Sequence, residues 1–247
     1  MCDTPELLYS PLESERYGIE VYRCELTGPI DFRLRREIAD AKFALLILRV
    51  PAGEAANVQK LLEDVYAVYH ADTLVHYVRR LGVHNGPTRT EASKIRLLDA
   101  SASGELHALA LQIFSSYRSH HSACSSLSHT AITEGYADWS VRLLTNRCAR
   151  VLGAFENGRM IGFIGWTQKE KSTSAAIELN GVAPANRNRG VYNLLLSSCL
   201  SSLDRDSINA VSISTQVWNV SVQRVWQKQG FLLSRAQDTL HVGSRDQ

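Results

Sequence analysis

Two apolar runs, Val151-Leu-Gly-Ala-Phe155 and Met160-Ile-Gly-Phe-Ile-Gly-Trp166, flank Asn157-Gly158. Asn-Gly is the strongest short hairpin signal, because a type I′ turn needs positive φ at both central residues. A third extended run, Ala175 to Val182, follows, and a helical pattern then occupies Gly190 through Leu203. Three consecutive antiparallel strands delivered into a helix dictate a sheet with helices packed on it. Upstream, Ile95-Arg-Leu-Leu98 reads as a short opening strand. Two helix faces come next, Leu106, Leu109, Ala110, Ile113 and Phe114, then Ile132, Tyr136, Trp139, Leu143 and Leu144. Downstream, Val211, Ile213 and Thr215 alternate as a strand, a helix follows, and one or two strands close the chain. The expected class is α/β, in the α+β sense of a mixed sheet carrying helices.

The first ninety residues read as a smaller α/β unit. Phe43 to Val50 is a continuous apolar run stopped by Pro51, as a buried strand would be. Ala55, Val58, Leu61, Leu62 and Val65 then recur at helical spacing, and Thr73 to Val78 is a second strand candidate. The apolar period stops at Gly82-Val-His-Asn-Gly86-Pro87, so two domains are expected, 1–90 and 91–247. The first could be a truncated second copy of the same theme.

A chain of 247 residues buries a core without staples, and its net charge of +2 with scattered basic residues gives no case for nucleic acid. The five cysteines are widely spaced and include no C-x-x-C motif, so neither a disulfide framework nor a metal site is expected. No leader or membrane-spanning run is recognised, and a cytoplasmic location is the expectation.

Two segments carry the chemistry. Val182-Ala-Pro184-Ala-Asn-Arg187-Asn-Arg189-Gly190-Val-Tyr192 joins the third strand to its helix, and Asn219-Val-Ser-Val-Gln-Arg-Val-Trp226-Gln-Lys-Gln-Gly230-Phe231 follows the next strand. In order and spacing these resemble the GNAT superfamily of N-acetyltransferases, from about Lys94 to Val242. Arg187 to Tyr192 matches the family's acyl-CoA turn, Gln/Arg-x-x-Gly-x-Gly/Ala, except at Tyr192. Asn219, Val222, Trp226, Gly230 and Phe231 match the later Asn-x-x-Ala-x-x-x-Tyr-x-x-x-Gly-Phe segment, with Val222 and Trp226 departing. Pro11 to Gly18, the strand and helix after it, and Thr215-Gln216 more loosely resemble the nucleotide-sugar branch, which acylates TDP-linked amino-dideoxy sugars in polysaccharide biosynthesis.

The resemblance implies acetyl-CoA or another short acyl-CoA as cosubstrate. A helix N-terminus offers free N–H groups and a favourable dipole end to a pyrophosphate, so Asn188, Arg189, Gly190, Val191 and Tyr192 form the expected cradle. Arg187 or Arg189 would add charge, and Lys228 would reach the 3′-phosphate; the alternative is an arginine-rich turn capping a helix. By resemblance, the pantetheine lies along the strand carrying Asn180 and Val182. The Val182 backbone N–H would polarise the thioester carbonyl, a fixed donor where negative charge develops. Asn219 would bond the pantetheine amide or cap its helix before Ser221.

The acceptor amine must arrive neutral and lose a proton. Glu178 is the first candidate base, its alternative a strand carboxylate facing solvent or paired with Lys or Arg. His120 and His121 are the second, their alternative a solvated or structural pair. Many relatives carry a proton-donating Tyr at position 226. An indole N–H is no proton source, so Trp226 is expected to pack against the arm. CoA would then leave as a thiolate, protonated by the amine's proton or by water.

Tyr17, Tyr117, Arg118, His120, His121, Tyr136 and Trp139 offer the aromatic and basic groups a nucleotide sugar needs. Core packing competes for Tyr136 or Trp139. Another small amine or a peptide as acceptor, an acyl-CoA-binding domain without catalysis, and a homodimer stay open. No nucleic acid or membrane partner is implied.

Overall fold

Asn157 and Gly158 adopt positive φ, 50° and 78°, and join β6 (Ala149–Glu156) to β7 (Arg159–Thr167) in an antiparallel hairpin. The computed structural model describes residues 5–28, 30, 32–82 and 94–245. Most of the expected linker, Val83 to Pro87, lies outside them, as does the expected 90/91 boundary.

The N-terminal elements are β1 (Leu8–Tyr9), α1 (Pro11–Tyr17), β2 (Val21–Glu25), α2 (Phe32–Asp40), β3 (Leu45–Pro51), α3 (Ala55–Leu62) and β4 (Tyr66–Arg80). After them come β5 (Ile95–Leu97), α4 (Ser103–Phe114) and α5 (His129–Thr145), then the β6–β7 hairpin. The chain ends with β8 (Ser174–Val182), α6 (Val191–Arg205), β9 (Ala210–Gln216), α7 (Val220–Lys228) and β10 (Leu232–Ser244). All described strands join one mixed sheet, ordered β1-β2-β3-β10-β4-β9-β8-β7-β6-β5.

One strand differs in extent from expectation. β4 runs from Tyr66 to Arg80 rather than Thr73 to Val78, because pairing with β10 on one side and β9 on the other extends it beyond its apolar stretch. A single closing strand, β10, inserts between β3 and β4, antiparallel to both. Chain from beyond position 231 thus completes the sheet of the first ninety residues.

Alternation sorts the side chains into layers. Leu46, Leu48 and Val50 of β3 join Leu240 and Val242 of β10 under α2 and α3. Val21, Leu45 and Ile47 face the other way, against Cys124, Leu127 and Ile132. In the C-terminal half, α4 and α5 pack through Leu106, Leu109, Ile113 and Leu143 on Val151, Phe163 and Leu179. The opposite face holds Leu195, Leu196, Cys199, Leu200 and Leu203 of α6 with Trp226 of α7, against Val75, Ile164, Trp166 and Ile213. Among the described residues, no helix is long and apolar enough to cross a membrane.

Candidate active site

β8 and β9 pair in parallel only as far as Ile177 and Ile213. Beyond that point β8 follows β7 to Val182, and β9 follows β4 to Gln216, so the two strands part. A β-bulge helps to turn β8. Gly165 lies opposite Leu179 and Trp166 opposite Ile177, leaving Glu178 as the extra residue; a bulge bends its strand and re-aims its side chain. Ala183 donates its N–H to Ile161 on β7 at 2.9 Å. Alternation then turns the Asn180 and Val182 N–H groups toward β9, into the parting.

The parting opens into a cleft of about 1010 Å³. Gly190 supplies the turn that starts α6 at its edge, with φ of 80°, a left-handed conformation glycine takes without a steric penalty. Asn188 is also left-handed, at φ 61°. Arg187 donates to the Val182 and Ile113 carbonyls, both at 3.3 Å. Arg189 instead forms a two-pronged bond to Glu156 on the hairpin, at 2.8 and 3.1 Å.

Glu178 lines the cleft and accepts a 2.6 Å bond from Thr167. It makes no ion pair among the described residues, so the Lys or Arg pairing admitted from sequence is absent there. Asn219 sits at the N-cap of α7 without a side-chain cap bond. Its amide donates to Thr215 at 3.0 Å and its Oδ1 accepts from the Ser221 hydroxyl at 3.4 Å, so Asn219 takes the N-cap position without the side-chain bond to a first-turn N–H that usually accompanies it.

The cleft continues toward the N-terminal strands. Tyr17, Tyr117, His120, His121, Tyr136 and Trp139 all line it; Arg118 does not, but lies over the ring of lining Trp218 at 5.4 Å. Tyr136 is stacked on Phe114 at 4.7 Å and half-buried. Of the residues expected around the cosubstrate, Asn180, Val182, Arg187, Asn188, Gly190, Val191, Tyr192, Asn219, Ser221 and Trp226 line the cleft. Arg189 and Lys228 do not.

The acetyltransferase (GNAT) family model matches residues 111–231. Residues 111–231 form a GNAT acetyltransferase domain. The protein is an acyl-CoA-dependent N-acyltransferase. Among solved structures, the GCN5-related N-acetyltransferase of Sphaerobacter thermophilus is 13% identical, with a TM-score of 0.60 over 97% of this chain and 76% of its own. A GNAT-family acetyltransferase of Colwellia psychrerythraea is 11% identical, with a TM-score of 0.53 over 86% and 70%. A tandem GNAT protein of the clavulanic acid biosynthesis pathway is 13% identical, with a TM-score of 0.57 over 91% and 75%. At these identities the likeness is one of fold. No curated protein matches the chain in sequence.

Within the GNAT domain, two departures from the family pattern meet. Trp226, 1% exposed, donates its indole N–H to the Tyr192 hydroxyl at 2.7 Å and packs edge-on against Tyr77 at 5.5 Å. Tyr192 thus turns from the cradle into the core between α6 and α7. Burial holds its hydroxyl well above the usual phenol range.

Sequence reading named His120 and His121 but missed Glu13, Arg23 and His241, which join them in a polar cluster, because these partners are distant in the chain. His121 Nε2 lies 2.7 Å from Glu13, which also accepts two bonds from Arg23 at 2.5 and 2.6 Å. The carboxylate makes Nε2 the donor, leaving Nδ1, 3.5 Å from the Ser119 hydroxyl, as the basic nitrogen. His120 lies against His121 with ring centroids 3.9 Å apart, and its Nδ1 is 3.0 Å from His241 Nε2 on β10. Burial lowers the pKa of both His120 and His121; for His121 it outweighs the raising effect of Glu13. On α4 and α5, His107 lies 3.4 Å from Glu134 and 3.6 Å from Asp138, and Arg16 already occupies Asp138 at 2.6 Å.

Tyr192→Phe strands a buried indole N–H and is expected to cost about 1–3 kcal/mol. In a urea double-mutant cycle with Trp226→Phe, the double variant should lose less than the sum of the singles, by about 0.5–3 kcal/mol.

Burial pushes His76 and His241 from the ordinary 6.5 down to about 4 and about 3. In that window the unfolded chain binds more protons, so stability falls as pH drops from about 6.5 toward 3. Glu13 adds loss of the same sign at the acid end: burial alone would raise it, but bonds from His121 and Arg23 hold it below the carboxylate range. The urea midpoint should therefore decline between about pH 7 and pH 4, and His241→Asn should flatten the decline.

Proposed function

We propose that the enzyme moves an acetyl or short acyl group from acyl-CoA to the amino group of a TDP-linked amino-dideoxy sugar. One observation carries this reading. A single cleft, lined by Tyr117, whose hydroxyl bonds Gln216 at the end of β9, and by Tyr136 and Trp139 of α5, runs from the parted strands to Tyr17, Arg23 and Arg49 of the N-terminal elements. Aromatic faces suit a nucleobase, and guanidinium groups suit phosphates. The N-terminal domain, residues 1–90, would supply the acceptor end, and the match to a tandem GNAT protein over 91% of this chain supports reading it as a truncated second copy.

In this scheme the N–H groups at the start of α6 hold the pyrophosphate, and Val182 polarises the thioester carbonyl. Glu178, already oriented by Thr167, removes the proton from the attacking amine directly or through one water. The Tyr192–Trp226 bond fixes the core beside the arm. CoA departs as a thiolate that takes the amine's proton or one from water.

The deciding assay follows thiol release from acetyl-CoA with TDP-3-amino and TDP-4-amino dideoxy sugars, beside simple amines and peptides. Release with at least one nucleotide sugar, at a kcat/KM well above any simple amine, is expected; release only with amines or peptides would remove the sugar reading. On the best acceptor, Glu178→Gln should lower kcat by about 10²-fold or more. A variant of wild-type kcat would reassign the base.

A further inference from the structure

Arg49 has no hydrogen-bonded or ion-paired partner among the described residues, although the carboxylates of Glu25, Asp72 and Glu13 lie near enough to feel its charge. In register it lies opposite Glu25 of β2 and Thr239 of β10, and Thr239 lies opposite Asp72 of β4. Its Nε is sealed from solvent without a hydrogen-bond partner. No other protein group, among the described residues, bonds or pairs with its guanidinium. The nearby acids are committed or out of reach. Glu13 is held by Arg23 and His121, and Glu25 by Arg235 and Gln237. Asp72, a strand further on, keeps both oxygens unpartnered, as Thr239 keeps its hydroxyl.

A guanidinium stays protonated inside proteins, and burying one unpaired is expensive. Arg49 nevertheless lines the cleft, so an incoming group can reach it. Arg23, the carboxylates of Glu25, Asp72 and Glu13, and His76, His120 and His121 all stand close enough to act on it or feel its charge. A planar fork of donors in a cleft lined by both polar and aromatic groups suits an oxyanion, which accepts parallel N–H bonds.

We propose that Arg49 anchors an oxyanionic group of the acceptor, a phosphate or a carboxylate, on the order of 10 Å from the amine that is acylated. The distance follows from the sheet. Three strand spacings, about 14 Å, separate β3 from β9, and the arginine side chain covers part of that span. The distance rests on placing acyl transfer at the parted strands; the anion site does not. The acceptor is therefore elongated, with its anion remote from the reacting end.

The test titrates inorganic pyrophosphate, TDP and succinate into protein saturated with CoA, so that the phosphate cradle on α6 is already filled. Calorimetry should show at least one oxyanion binding to the wild type, tenfold or more weaker to Arg49→Met and intermediate to Arg49→Lys. CoA affinity should be the same in all three proteins. Equal binding to wild type and Arg49→Met, or no binding of any oxyanion, would overturn the anchor. TDP bound through Arg49 by an enzyme that acylates no TDP amino sugar would keep the anchor and remove the sugar reading. Acylation of such a sugar with an unchanged KM in Arg49→Met would do the reverse.

Discussion

The end of pairing between β8 and β9 after Ile177 and Ile213 is the constraint on which the site depends. Buried backbone donors and acceptors must find partners, and a gap inside a sheet leaves two rows of them facing each other. Each strand stays fixed by its outer neighbour, β8 by β7 and β9 by β4, so the gap is held open. The bulge at Glu178 bends β8 where the opening begins. One local irregularity thus presents the Val182 N–H, places a carboxylate in the cleft, and lets Tyr192 and Trp226 line it from the opposite face of the sheet.

The other half of the cleft depends on a long-range event. β10 leaves the GNAT domain and slots between β3 and β4, carrying Gln237, Thr239 and His241 onto the face beneath α1 and α5. That face is polar and mostly sealed, with Glu13, Arg23 and His121 satisfying one another. Such a network costs desolvation energy that an apolar core would not. Its cost is understandable where polar groups are needed to meet a polar acceptor.

Tyr192 and Trp226 illustrate how sequence and structure divide the work. Against a family pattern they are two unrelated departures, thirty-four positions apart. In space they are one hydrogen-bonded contact, in which a phenol leaves the cradle to satisfy a buried indole. Arg189 shows the converse. Its place in the turn suggested a phosphate contact, but the β6–β7 hairpin brings Glu156 within reach and engages it. Arg118 does not line the cleft; it lies over the ring of Trp218, which does.

Periodicity and turn chemistry are local, so the sequence by itself determined the strands and helices from Ile95 to Lys228, the Asn157-Gly158 hairpin and the glycine-started α6. It also placed Glu178 and Val182 on the strand beside the opening. Where β10 inserts, how far β4 extends and where β8 and β9 part are matters of pairing between distant segments, which no window of sequence contains. The same is true of Arg49. Its type and strand are readable from the chain, but that it stands half-buried, without a hydrogen-bonded partner, in the cleft follows only from the packing of β2, β10 and β4 around it.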